Sequence, residues 1–244
     1  MTTTAGARRE AAAASSNAKP VINLSSGFLL CSFVLFWLYA PLVVVFNTVV
    51  FGLRIRGREN LRGVKERGCI VVSNHSLYLD PAIVGQTVFP LRCFYSAMRS
   101  HFRNPAFGLF LRLMGAFPIP DPSGLRKTAR TIREALDRGR PVHFFPEGEM
   151  THLSQTVAPF KSGAFFLALR LGVPIVPVTL VHRPRTLFGR KISKYFIRVE
   201  SIIGRPVDAE RNGVGPEKDH AARIATHVRS IMVDTITSGR QEPR

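Results

Sequence analysis

The segment Asn74-His75-Ser76-Leu77-Tyr78-Leu79-Asp80 sets a histidine and a carboxylate five positions apart, directly after the apolar run Cys69-Ile70-Val71-Val72. Further along, Phe144-Phe145-Pro146-Glu147-Gly148 puts a carboxylate and a glycine at the end of a second apolar run. Histidine carries protons near neutral pH, and a nearby carboxylate holds its ring and stabilises its charged form. Titratable residues that follow a buried strand at once are how α/β enzymes present chemistry at a sheet edge. The two segments therefore read as an acid–base site, and the rest of the chain as what positions it.

The positioning elements alternate. Short apolar strands are expected at Cys69–Ser73, Leu91–Ser96, Val142–Phe145, Ile175–Val181 and Tyr195–Ile203. Between them Ser123–Arg138 reads as a helix with Ser123 as N-cap, an apolar stripe of Leu125, Ala129, Ile132 and Leu136, and Gly139 at its stop. A final helix from near Pro216 buries Ala221, Ile224, Val228 and Ile231. This pattern is that of an α/β domain, a sheet covered by helices, over residues 54–240.

Residues 1–22, rich in Ala, Ser and Thr, read as a disordered tail, and 23–53 as a membrane anchor. No charged residue occurs from Gly27 to Leu53, which is long enough to cross a hydrocarbon core of about 30 Å. Pro41 divides this stretch, so a kinked transmembrane helix competes with a re-entrant helical hairpin. Arg54, Arg56, Arg58, Arg62 and Lys65 follow it, which puts the domain on the cytoplasmic side.

The net charge of +18 attracts anionic partners: lipid headgroups, phosphorylated substrates or nucleic acid. No interleaving of aromatic and basic residues and no helix-turn-helix pattern is visible, so nucleic acid is not expected as a partner. Cys31, Cys69 and Cys93 are too scattered for a disulfide framework or a metal site. His101, His143, His152, His182, His220 and His227 show no metal-ligand spacing, so no metal is expected and surface or core roles fall to all six. There is no GxGxxG or P-loop.

His75 to Asp80 has the form H-x4-D, and Phe145-Pro146-Glu147-Gly148 the form FPEG, of the glycerolipid acyltransferases. Phe160-Lys161-Ser162-Gly163-Ala164 is similar to that family's F-K-x-G-A, and Val173-Pro174-Ile175-Val176-Pro177-Val178 to its V-P-I-V-P-V. The four blocks stand in the family's order between about Ile55 and Ile203, and the chain resembles most closely its bacterial 1-acylglycerol-3-phosphate O-acyltransferase group. The resemblance implies a mixed, mostly parallel sheet covered by helices, with an N-terminal membrane-embedded segment.

It also implies a reaction, acyl transfer from a thioester to a lysophospholipid hydroxyl, without an acyl-enzyme. His75 would be the general base and Asp80 the residue that orients it. Glu147 and Gly148 would meet the acceptor, with Lys161, Arg99, Gly115 and Arg126 as further substrate contacts. No cofactor is implied. The donor, acyl-CoA or acyl carrier protein, is a co-substrate, and membrane lipids and the lysolipid complete the partners. A bacterial inner membrane, with the domain on its cytoplasmic face, is the implied location.

One block departs from the family. Where the family carries an arginine suited to a phosphate, alignment on Gly115 brings Asp121, within Gly115-Ala116-Phe117-Pro118-Ile119-Pro120-Asp121-Pro122. After FPEG, where threonine and arginine are usual, stand Glu149 and Met150. Arg99, Arg103, Arg126 and Lys127 are the substitutes at hand. Acceptors other than 1-acylglycerol-3-phosphate thus stay open, as do a thioesterase or lysophospholipase and a basic, membrane-tethered binding module.

Overall fold

The structure, a computed structural model, describes residues 22–119, 125–187, 190–191, 197–209 and 216–241. Its centre is Ile70–Ser73 (β2), four residues that are all buried. A strand buried on both faces has no polar alternation, which is why this segment reads as a continuous apolar run. Val142–Phe144 (β5) lies parallel to it on one side and Ile175–Pro184 (β6) parallel on the other. Beyond β5 come Phe94–Ala97 (β3) and Ala116–Pro118 (β4), both parallel. Beyond β6 comes Ile197–Ile203 (β9), which is antiparallel to β6. Arg54–Arg56 (β1), parallel to β9, closes the sheet at that edge. The order is β1-β9-β6-β2-β5-β3-β4, a mixed and mostly parallel seven-stranded sheet. Thr186–Leu187 (β7) and Arg190–Lys191 (β8) form a separate two-stranded ribbon.

Alternate residues of β2 build the two halves of the core. Ile70 and Val72 pack into a cluster with Ile132 and Leu136 from Leu125–Asp137 (α5), Phe165 and Ala168 from Gly163–Leu171 (α6), and Val228 and Met232 from Glu217–Gln241 (α7). Val71 points the other way, to Ile83 and Val84 of Asp80–Thr87 (α3) and to Val176, Val178 and Leu180. Burying a Leu, Ile, Val or Phe side chain contributes about 1.5–3 kcal/mol, so these two clusters hold the sheet rigidly. Val64–Arg67 (α2) and Pro105–Leu113 (α4) are the remaining α-helices among the described residues of the domain.

The expected stripes hold where the residues are described, with one shift. Ile132 and Leu136 are buried in α5 and Ala129 half-buried, whereas Ser123 and the Leu125 side chain lie outside the described residues. In α7 Ala221, Ile224 and Val228 are buried, but Ile231 is only half-buried and the stripe continues through Met232 and Ile236. The helical period of 3.6 carries the inward face one position past Ile231 at that point.

The N-terminal apolar stretch is one helix, Ser26–Phe51 (α1), running unbroken through Pro41 and ending on left-handed Gly52. Among the described residues it is the one helix long and apolar enough to cross a membrane. At about 1.5 Å per residue it is roughly 39 Å long. It lies lengthwise on the domain. Ser32 Oγ donates to the Leu113 carbonyl at 2.6 Å, Arg92 donates to the Ser32 carbonyl at 3.1 Å, and Asn47 Nδ2 donates to Gln86 Oε1 at 2.9 Å. Arg185 donates to the Val49 carbonyl at 3.0 Å. The opposite face, including Leu30, Val34, Leu38, Leu42 and Val49, is exposed.

Candidate active site

Because β2, β3, β4 and β5 are parallel, their C-terminal ends meet on one edge of the sheet. The crevice outside such an edge is where open α/β sheets place ligands. The loop 74–79 leaves β2 there, and Phe145-Pro146-Glu147-Gly148 leaves β5 beside it.

Within the first loop, His75 Nδ1 lies 2.9 Å from Asp80 Oδ2. The same oxygen accepts the backbone N–H of Ser76 at 2.6 Å and of Leu77 at 2.8 Å. Asp80 opens α3 and is fully buried, while the His75 side chain is 21% exposed. Three donors on one oxygen fix the carboxylate, and the carboxylate fixes the ring. With Nδ1 held, Nε2 is the nitrogen left to a reacting group. The ring also stacks on Phe145, centroids 3.8 Å apart and planes 17° apart.

Glu147 takes a different position from the one the sequence suggests. Its Oε1 accepts the backbone N–H of His75 at 2.9 Å and its Oε2 accepts that of Ala158 at 2.9 Å. The residue is buried, and burial raises its pKa while those two N–H groups oppose the rise. Rather than pointing out at an acceptor, the carboxylate ties the loop that carries His75 to the 158 region. Gly148, with φ +77°, is in the left-handed region, and a methyl group there would collide with Lys161 Nζ. Lys161 therefore reaches across the bare backbone of Gly148, and its own N–H bonds the Pro146 carbonyl at 2.8 Å. This brings an exposed cation to the same edge as His75.

The remaining expected contacts divide. Arg99 follows β3 on the same edge, exposed, with Nε donating to the Ile119 carbonyl at 3.2 Å. Gly115 lies elsewhere: it is buried where the chain enters β4, at the N-terminal end of that strand and so at the opposite edge from His75. Its φ of +91° and its close approach to the Cys93 carbonyl give it a turn-making role, which corrects its expected place in the site. Arg126 stands in the first turn of α5 with its side chain outside the described residues, where Asp121 also lies.

Two histidines that the sequence leaves as surface or core residues adjoin the site. His143, in β5, is fully buried, its Nε2 2.8 Å from Ser73 Oγ and its ring edge-on to Phe145 at 4.4 Å. Burial pushes its pKa down to about 3, with the charge of His75 adding to the effect. His182, near the end of β6, has Nε2 3.0 Å from Ser76 Oγ. A polar residue inside the apolar run before FPEG is a signal for the first; the second has no signal, since its partner is 106 residues away. Cys69 is buried, which pushes its thiol up to about 12, so it is no nucleophile at neutral pH.

Residues 52–181 match the family described as acyltransferase. The chain is 32% identical over 209 residues to the 1-acyl-sn-glycerol-3-phosphate acyltransferase of Saccharomyces cerevisiae, covering 82% of this chain and 65% of that protein. Its identity to the protein of that name from Bacillus subtilis is 29% over 177 residues, 71% of this chain and 82% of the relative. This chain thus spans just under two thirds of the length of the yeast relative. Among solved structures, the 1-acyl-sn-glycerophosphate (LPA) acyltransferase PlsC from Thermotoga maritima superposes with a TM-score of 0.55 at 18% identity, covering 89% of this chain and 96% of that one.

Proposed function

We propose, since this chain belongs to the acyltransferase family, that it moves a fatty acyl group from a thioester donor to the hydroxyl of 1-acylglycerol-3-phosphate, giving phosphatidate. The observation that carries the mechanism is the grip of Asp80 Oδ2 on His75 Nδ1, which leaves Nε2 as the ring nitrogen for a reacting group. His75 Nε2 takes the proton of the acceptor hydroxyl as the oxygen attacks the thioester carbonyl. The tetrahedral adduct then collapses, the carbon–sulfur bond breaks, and the thiolate recovers the proton from His75. Asp80 stabilises the imidazolium between these steps, and the π face of Phe145 lies against it. No protein nucleophile is needed, because the acceptor supplies it.

Lys161, above Gly148, is the cation offered to the acceptor phosphate, with Arg99 on the same edge. The donor is acyl-CoA or acyl carrier protein, whose negative charges the net charge of +18 suits. The outer face of α1 is covered by lipid. Its polar ties to the domain run from Ser32 to Val49, so helix and domain share the membrane surface, on the cytoplasmic face of a bacterial inner membrane. Exposed Tyr78, Leu79 and Met98, beside the sheet edge, offer apolar contact for the acyl chains.

A second reading, another lysolipid acceptor, draws on Asp121 where an arginine suits a phosphate. One experiment addresses both. The protein in vesicles, given labelled acyl-CoA or acyl carrier protein and a panel of lysolipids, should form diacyl product fastest from 1-acylglycerol-3-phosphate, and His75→Ala should abolish it. Full transfer by the His75→Ala protein would sink the general-base mechanism. Preference for a different headgroup would replace the acceptor but leave the chemistry.

A further inference from the structure

His182 lies outside every motif above, yet three segments of the site converge on it. Its ring Nε2 meets Ser76 Oγ at 3.0 Å. Its backbone N–H donates to Gln155 Oε1 at 2.7 Å. The backbone of Leu153 faces its ring, and Leu153, with φ +56°, is the described non-glycine residue held in the left-handed region. A non-glycine residue keeps that conformation only where its surroundings over-determine it. Here they do: Leu153 N–H donates to the Ser76 carbonyl at 2.9 Å and Thr151 N–H to the His75 carbonyl at 3.2 Å. The loop after FPEG thus clasps the loop that carries His75, and β6 anchors the clasp at His182.

Ser76 is the point of contact. It is 1% exposed, and each of its polar groups is engaged: N–H to Asp80 Oδ2, carbonyl to Leu153, hydroxyl to His182. A buried, engaged hydroxyl is not available as a nucleophile. It is placed to lock the peptide whose N–H is the shortest of the three bonds on Asp80.

We propose that His182 is a positioning residue for the His75–Asp80 pair, acting through Ser76 to hold the loop that presents both. Burial lowers the pKa of its ring, which favours the neutral form, an effect reinforced by His152 and opposed by Asp80 and the Leu153 backbone. In a neutral imidazole Nε2 accepts a hydrogen bond from the Ser76 hydroxyl. A charged ring would instead compete with His75 for Asp80.

This inference rests on His75 being the general base, so its test includes a readout that needs no turnover. His182→Ala should lower kcat about 10- to 100-fold, with both KM values within about threefold, because a small misplacement of the base costs rate and not binding. His182→Gln, whose amide reaches the same hydroxyl, should recover most of the loss. Ser76→Ala should give a similar loss and add little on top of His182→Ala, as expected for two residues acting as one unit. It carries the same test should His182→Ala fail to fold. The 15N signals of the His75 ring, identified by their absence in His75→Ala, should report a single Nδ1–H tautomer in the native protein and in His182→Gln, and averaging in His182→Ala. Unchanged kcat with unchanged His75 signals would overturn the proposal. So would a loss that His182→Gln does not restore, or losses that simply add. If His75→Ala retains full transfer, the general-base reading fails instead, and the ring signals still report whether His182 holds the loop.

Discussion

Replacing Glu147 by glutamine separates two tasks for that carboxylate. In the structure its two oxygens accept the backbone N–H groups of His75 and Ala158, each at 2.9 Å, and the residue is 8% exposed. Glutamine keeps one acceptor oxygen and turns an NH2 toward the other N–H, leaving a buried donor facing a donor. An unsatisfied buried donor costs about 1–3 kcal/mol. The surviving bond loses its charge assistance, roughly another 1 kcal/mol. Glu147→Gln should therefore destabilise the protein by about 2–4 kcal/mol, read as a lower urea midpoint. If about half of that is expressed in the position of His75 at the transition state, kcat falls about 5- to 30-fold. KM for the acceptor should barely change. Glu147→Asp, one methylene too short to span both donors, should behave alike. Steady-state kinetics with varied acceptor, beside urea unfolding, decide the matter. A raised acceptor KM with native kcat and native stability would refute the reasoning and return the carboxylate to the acceptor.

Gly148→Ala places a methyl group where Lys161 Nζ lies and forces alanine to φ +77°, at about 1–3 kcal/mol of strain. It should raise the acceptor KM about tenfold, as should Lys161→Met, which removes a charge-assisted contact worth about 1.5 kcal/mol; an unchanged KM in both would remove Lys161 from phosphate binding. His143 makes the fold acid-sensitive. Its pKa falls from 6.5 to about 3 on folding, so the unfolded chain binds the proton first and stability drops as pH falls from about 6.5 toward 3. Between pH 7 and pH 5 this group alone should cost about 2 kcal/mol, by linkage. The urea midpoint of His143→Val should lack that loss, and an equal acid slope in both proteins would contradict the assignment.

Much of the site is readable along the chain because its central contact is local. His75 and Asp80 stand five residues apart, and a carboxylate at the start of a helix, with the loop N–H groups pointing back at it, can reach the ring without help from the rest of the fold. The run before His75 is equally plain, since a strand buried on both faces favours apolar residues, and the run before Phe145 follows the same pattern except at His143. Several strands are less legible. Arg54–Arg56 and Ala116–Pro118 are three residues each, too short for a pattern, and they exist because β9 and β3 supply ladders for them.

What the sequence determined by itself is the set of candidate groups: an imidazole, a carboxylate five residues on, a second carboxylate followed by a glycine, and a long apolar stretch. What the tertiary structure alone decided is who holds whom. The order β1-β9-β6-β2-β5-β3-β4 brings Glu147 to the His75 backbone across 72 residues and His182 to Ser76 across 106. It sends Gly115 to the far edge of the sheet. It also lays α1 along the domain by means of Ser32 and Asn47. Hydrophobic periodicity states which face of an element is buried and not which element covers it, so these long-range pairings become visible only once the sheet is assembled.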